Sequence, residues 1–229
     1  MRVTNQSTAA THTADCIIFG FAEKELRVLL VRRAVDPFAG EWVLPGGAMG
    51  ADETLEETAR RVLQDMVGVQ NVFLQQVGTY SDPQRHPVRR VVTTSFYALV
   101  RPKDHRPVAK GHLSEAAWHP VAAVPRLGFD HGQLLTDAHA RLIWHLRTRP
   151  LAFDLLPDRF TLTEAQLLYE DILGEPLDRR NFRRKIQGYA FLHETNEKRS
   201  GVKGGPLLYR VDREALALEL RDARDREDL

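Results

Sequence analysis

The sequence predicts an α+β chain in two domains, an N-terminal α/β domain of mixed strand order over residues 1–149 and a C-terminal winged helix-turn-helix over 159–229. Three observations predict it. Apolar, β-branched runs bounded by turn residues recur through the first domain and alternate with helical patterns. The stretch PLAFDLLPD at 150–158 carries two prolines and interrupts helical periodicity, which marks it as a linker. Beyond it, two capped amphipathic helices are followed by two short apolar runs flanking a Lys/Gly-rich loop.

In chain order, CIIFGF and LRVLLVRR flank the charged turn AEKE and read as a hairpin. GEWVLPGG then opens a glycine loop that runs, through GGAMGADETLEETARRVLQDMVGV, into a helix. VFLQQVGTY and VVTTSFYALV are strand-like runs separated by the turn-rich SDPQRHPVRR, and EAAWHPVAAV reads as a further strand. From Asp130 to Arg149 the spacing of Leu134, Leu135, Ala138, Leu142 and Leu146 draws one helical stripe.

The second domain has sharper local signals. In TLTE, Thr161 is the expected N-cap and Glu164 the residue reaching back to it, opening a helix that ends near Gly174. Asp178 caps the next helix, RRNFRRKIQG, in which Phe182 and Ile186 share one face while Arg180, Arg183, Arg184 and Gln187 project from the other and Arg179 and Lys185 flank the apolar stripe. FLHET, the loop NEKRSGVKGG and PLLYRV complete a two-stranded wing. The module is a winged helix.

Composition excludes several classes. The 229 residues are 43% hydrophobic and 28% charged, ordinary for a soluble protein that buries a core. A single cysteine, Cys16, precludes an internal disulfide and a cysteine zinc cluster; it lies in an apolar run and is expected in the core, and the nine histidines show no metal-ligand spacing. The polar N-terminus lacks the apolar segment of a signal peptide, and no run reaches membrane-spanning length, so a cytoplasmic location is expected. A net charge of +1 is uninformative, but its distribution is not. Residues 151–229 hold 14 Lys and Arg against 16 Asp and Glu, yet between Arg179 and Lys203 the count is 8 against 2. Basic charge is confined to the second helix and the wing, where a DNA reader needs arginines for guanine edges and cations for phosphates. The DNA-contact candidates are Thr161, Thr163, Arg179, Arg180, Asn181, Arg183, Arg184, Lys185, Gln187, Lys198, Arg199 and Lys203.

In the first domain, Gly47, Glu53, Arg61 and Gly68-Val69 keep the spacing Gly-x5-Glu-x7-Arg-Glu-U-x-Glu-Glu-x-Gly-U, with U apolar, and so resemble the Nudix box; GEWVLPGG before it is equally typical. The resemblance implies a Nudix-like α/β/α sandwich. In that family the Arg-Glu and Glu-Glu carboxylates bind magnesium and activate water against a diphosphate. Here those positions read Val62, Asp65 and Met66. Hard divalent cations require several oxygen ligands, so no catalytic residue, no metal and no cofactor is expected. Glu57 with Arg61, Arg61 with Asp65 and Glu56 with Arg60 stand at helical i,i+4 spacing and are read either as helix-stabilising pairs or as remnants of the site. The glycine pair Gly46-Gly47 permits close approach of a ligand. With Trp42 for stacking and Arg32, Arg33, Arg85, Arg89 or Arg90 as anion partners, a pocket for a nucleotide-like diphosphate is expected, each arginine being equally readable as a solvated surface residue.

A degenerate Nudix box joined to a winged helix resembles the Nudix-related transcriptional regulators, the NrtR family, from about Ala14 to Val211; the stretch LAFDLLPDRFTLTEAQLLYEDILGEPLDRRNFRRKI carries much of the likeness. The resemblance implies a homodimeric repressor of NAD biosynthesis or salvage genes that binds double-stranded operator DNA and leaves it when the Nudix domain binds ADP-ribose or a related nucleotide. Two alternatives remain open: an active ADP-ribose pyrophosphatase with an accessory DNA-binding domain, and a Nudix domain kept only for dimerisation.

Overall fold

The computed structural model describes residues 9–68, 74–199 and 205–225. Two compact units emerge, one formed by residues up to Phe19 and by Arg27–His139, the other by Gly20–Leu26 and Ala140–Leu229.

The first unit is built on a mixed sheet. Strands β1 (Thr11–Ala22) and β2 (Glu25–Arg33) form the expected hairpin, turning through Glu23 and Lys24, both at positive φ (56° and 67°), the twist that two-residue hairpins require, here without glycine. Short strands β3 (Trp42–Val43) and β4 (Gly46–Ala48) come from GEWVLPGG; helix α1 spans Leu55–Val67, followed by β5 (Leu74–Tyr80), β6 (Val91–Val100) and β7 (Leu113–Pro120). The strand order is β3-β2-β1-β6-β5, with β4 antiparallel on β1 and β7 antiparallel on β2. The Thr11 amide donates to the Arg90 carbonyl and Thr93 Oγ1 to the Thr13 carbonyl, so β1 and β6 run the same way while their neighbours run antiparallel. The run EAAWHPVAAV stops as a strand at Pro120, which offers no amide to extend the ladder, and Val121–Ala123 closes as a 3-10 turn.

Both sheet faces are covered, which is why Ala14–Gly20 is buried without alternation. On one face Cys16, Ile18, Leu29, Val31, Phe96 and Ala98 pack with Ala59, Val62 and Leu63 of α1. On the other lie Ile17, Phe19 and Tyr97, with Phe19 also meeting His139 of helix α2 (His131–Thr148). This is an α/β/α sandwich. Leu134, Leu135, Ala138, Leu142 and Leu146, the stripe read from the sequence, are all buried. Thr54 caps α1 in a capping box with Glu57, and Gly68 closes it at a φ of 69°.

In the second unit, α3 (Leu162–Leu173) starts at Thr161 with the capping box to Glu164 and ends at Gly174, whose φ is 67°. Helix α4 (Arg179–Ile186) is capped by Asp178, which accepts from the Asn181 amide. Strands β8 (Leu192–Lys198) and β9 (Leu207–Val211) form the wing, Phe160 bridges to Tyr209, and α5 spans Arg213–Asp225. The segment read as a linker holds a 3-10 turn, Leu151–Leu155, in which Leu151, Ala152 and Phe153 are fully buried. Phe153 centres an aromatic cluster with Phe160, Tyr169, Tyr189 and Phe191. Pro150 stands just past the end of α2 and Pro157 just past the 3-10 turn, while the apolar residues between them belong to the core. No helix among the described residues is long and apolar enough to cross a membrane.

Candidate functional site

A cleft of about 860 Å³ opens in the first unit. Its wall includes Gly46 and Gly47, and Arg33, Arg85 and Arg89 of the predicted anion partners. Arg32 and Trp42 are absent from it. Side chains alternate along β2, so Val31 and Arg33 face the cleft and Arg32 points to the opposite face. There Arg32 meets its register partner Trp42, guanidinium 5.9 Å from the ring centroid, and also donates to the Gly40 carbonyl. Trp42 in turn stands edge-on to His119 at 4.5 Å. These two residues pack on each other away from the cleft. Arg90 is likewise occupied, donating to the Ser81 carbonyl at 2.7 Å.

Arg85 reaches the cleft in an unexpected state: it is buried and pairs bidentately with Asp130 (2.8 and 2.9 Å), with Asp15 a further 3.5 Å away. Gly46 leaves room beside this pair: a Cβ there would lie 2.1 Å from Asp15 Oδ1 and would push that carboxylate aside. The sequence reading missed the aromatic and imidazole lining. Phe38 and Phe129 both hold positive φ (66° and 57°), a strained state for bulky residues that concentrates at functional sites. Their rings are 4.5 Å apart, His86 stacks on Phe129 at 5.3 Å, and the Arg33 guanidinium lies 5.3 Å from the same ring. Arg33 also donates to the Pro37 carbonyl, fixing the Phe38 loop. Only the basic run around Arg85 to Arg90 hinted at this wall, since its aromatic residues come from separated loops.

Arginine charge adds to burial in the cleft. Burial and the neighbouring Arg89 lower the Arg33 pKa; burial followed by Arg89, Arg33 and Arg85 lowers His86; burial and Arg33 lower His112. Burial also holds His131 down, and its Nδ1 accepts from the Leu44 amide at 2.9 Å, so the imidazole is neutral with Nε2 facing Asp15. Arg33, Arg85 and Arg89 thus place guanidinium groups in a partly dry cleft, the chemistry an entering anion would meet.

The residues do not fit a magnesium ion. Val62 is a core residue whose Cγ2 would lie 3.3 Å from a Cβ at Gly47, and Met66 lines the cleft. Asp65 faces Lys110 at 3.8 Å. Glu53 is held by Arg61 through two bonds of 2.7 and 2.8 Å; that guanidinium, joined by the Gly50 amide, brings the carboxyl down to about 2. Of the expected i,i+4 pairs only Glu56–Arg60 forms, at 2.8 Å: Glu57 is spent on the Thr54 cap, and Arg61 turns to Glu53 and the Ala48 carbonyl. Among the described residues no group of three or more His, Cys, Asp or Glu is arranged for a metal.

In the second unit, Phe182 and Ile186 anchor α4, leaving Arg179, Arg180, Asn181, Arg184, Lys185 and Gln187 exposed. Several are preset by local bonds: Arg184 donates to Asn181 Oδ1 at 2.9 Å, Arg183 to Thr163 Oγ1 at 3.3 Å, and Gln187 to the Tyr209 hydroxyl at 3.3 Å. Lys198 is exposed on the wing. Arg199 is instead paired with Glu164 at the start of α3, which ties the wing to that helix. Thr161, another of the candidates, is buried and committed to its capping box. Lys203, like Val69, lies outside the described residues.

Residues 11–138 match the NUDIX domain and 152–211 the NrtR DNA-binding winged helix domain. The chain is 33% identical over 202 residues to the ADPR responsive transcriptional repressor NtrR of Acinetobacter baylyi, covering 86% of this chain and 80% of that one. It resembles the crystal structure of Shewanella oneidensis NrtR complexed with a 27mer DNA, at 30% identity and a TM-score of 0.78, over 90% of this chain and 95% of that one. The NUDIX domain of the same Shewanella protein, complexed with ADP ribose, is matched at 32% identity and a TM-score of 0.55, over 62% of this chain and 94% of that one. With both domains matched in order and a relative 33% identical over 86% of this chain, the chain belongs to the Nudix-related transcriptional regulators, the NrtR family.

Proposed function

We propose that this protein is a transcriptional repressor that binds double-stranded operator DNA through α4 and the wing, and is released when ADP-ribose or a related nucleotide diphosphate occupies the cleft of its Nudix unit. One observation carries the reading: the cleft keeps its wall of Arg33, Arg85 and Arg89 while two of the three positions for metal-binding carboxylates hold Val62 and Met66. Such a site binds a diphosphate by charge-assisted hydrogen bonds without activating water to cut it. Repression of NAD biosynthesis or salvage genes, a homodimeric state and a cytoplasmic location follow from the same reading, ADP-ribose being a breakdown product of NAD.

Within it, residues 1–149 sense the ligand, with Arg33, Gly46, Gly47, Arg85 and Arg89 facing it. Residues 159–229 bind DNA, with Arg180, Arg184 and Gln187 entering the major groove, and Arg179, Lys185, Lys198 and Lys203 pairing with phosphates. Fluorescence anisotropy of a protein–operator complex titrated with ADP-ribose, with NAD and AMP as controls, tests the reading. Release at micromolar to millimolar ADP-ribose is expected; none at millimolar ADP-ribose, in a sample that binds DNA specifically, rejects it as the effector.

A further inference from the structure

Helix α2 begins where the cleft ends, and its entrance is built unusually. Asp130 stands immediately before the helix, its carbonyl accepting from the Gln133 and Leu134 amides. An Asp at such a position ordinarily turns its carboxylate onto the first-turn amides. Here both carboxylate oxygens go to Arg85, at 2.8 and 2.9 Å. Phe129 before it is held at a φ of +57°, and His131 after it gives its Nδ1 to the Leu44 amide. Two costs, a forgone cap and a strained aromatic residue, therefore fall on consecutive residues that join the cleft wall to the helix.

Arg85 is also part of the cleft wall. Phosphate and carboxylate compete for a guanidinium with the same bidentate geometry, so an anion that reaches Arg85 draws on the hydrogen bonds that hold Asp130. We propose that Arg85 and Asp130 form the positioning pair through which a diphosphate-bearing ligand in the cleft acts on α2, whose residues 131–139 belong to the first unit and 140–148 to the second. This rests on the reading that such a ligand alters DNA affinity, and adds the pair that transmits it. Asp130 need not touch the ligand.

The test is D130N, which keeps size but removes the charge, compared with wild type on an operator fragment selected from random DNA by the wild-type protein. ADP-ribose affinity is measured by calorimetry and operator affinity by anisotropy with and without ADP-ribose. Wild type is expected to lose operator affinity by roughly 5- to 150-fold, whereas D130N still binds ADP-ribose but shifts operator affinity by less than about 2-fold. Tyr80→Phe provides the control, since it breaks the 2.8 Å bond from Tyr80 to Asp137 farther along α2 without touching the cleft. It is expected to keep the wild-type factor. Release by D130N equal to wild type, or equal loss of coupling in Y80F, overturns the pair. Should D130N fold poorly, hydrogen exchange of the wild-type first-turn amides of α2 decides: altered exchange on adding ADP-ribose supports the pair and unaltered exchange overturns it. Wild type that binds ADP-ribose with no change in operator affinity fails differently, overturning the release reading along with the pair.

Discussion

At the scale of single residues, Val62 and Met66 decide whether the cleft can do chemistry. Val62 is only 4% exposed and packs with Leu63 and Ala59, so it serves the core that a carboxylate there would disrupt. Hydrolysis of ADP-ribose with magnesium or manganese is therefore expected to be negligible; turnover at about 1 per second or faster, followed chromatographically as AMP and ribose 5-phosphate, would show an enzyme. Val62→Glu is expected to destabilise by roughly 3 kcal/mol or more in a denaturant melt, because it places a carboxyl group among apolar neighbours, and Met66→Glu by less, since Met66 borders the open cleft. On α4, Arg180→Ala and Arg184→Ala should each cost roughly 1–3 kcal/mol of operator affinity and relax base preference, while Lys198→Ala should mainly reduce the salt slope by about one. A gel shift that leaves both arginine variants unchanged removes α4 from the groove. Residue roles were only partly legible: composition marked Arg32 and Arg33 alike, and only the pleat of β2 sends one to the cleft and the other to Trp42.

The helices that carry their own start signals were the legible elements. Thr161 with Glu164 and Asp178 with Asn181 are contacts within three residues, so sequence spacing alone implies them. Thr161→Ala should cost about 1 kcal/mol in a thermal or denaturant melt. The cleft's glycines and arginines were legible but its aromatic wall was not, because Phe38, His86 and Phe129 meet only after distant loops converge on the sheet. Nor was the state of His145 on α2, where burial, and then Arg149 and Arg141, push the pKa down from the usual 6.5 to about 4. Its sign is fixed by linkage: between those two values the unfolded chain binds the proton and the folded chain does not, so stability falls as pH drops through that window. The loss should be on the order of 2–3 kcal/mol between pH 7 and pH 4. Thermal melts of wild type and His145→Gln across that range measure it; an equally steep pH dependence in the variant assigns the effect elsewhere.

At the scale of the whole molecule, net charge concealed the organisation and its distribution exposed it, since the basic residues gather on α4 and the wing of a slightly acidic second domain. The division of labour that follows makes binding at the two sites one thermodynamic problem. If ADP-ribose weakens operator binding by some factor, operator DNA must weaken ADP-ribose binding by the same factor, because both describe one closed cycle. A coupling of about 1–3 kcal/mol gives roughly 5- to 150-fold in each direction. A dimer should show this on a site whose half-sites lie about one helical turn, or a multiple of it, apart. Calorimetric titration of ADP-ribose into the free protein and into the saturated operator complex, at one salt concentration, gives one factor; anisotropy with and without saturating ADP-ribose gives the other. Agreement is expected. Two factors that differ by more than about tenfold, well outside the error of either method, would mean that DNA release follows another process, such as separation of the two subunits, rather than a ligand-driven shift within one folded assembly.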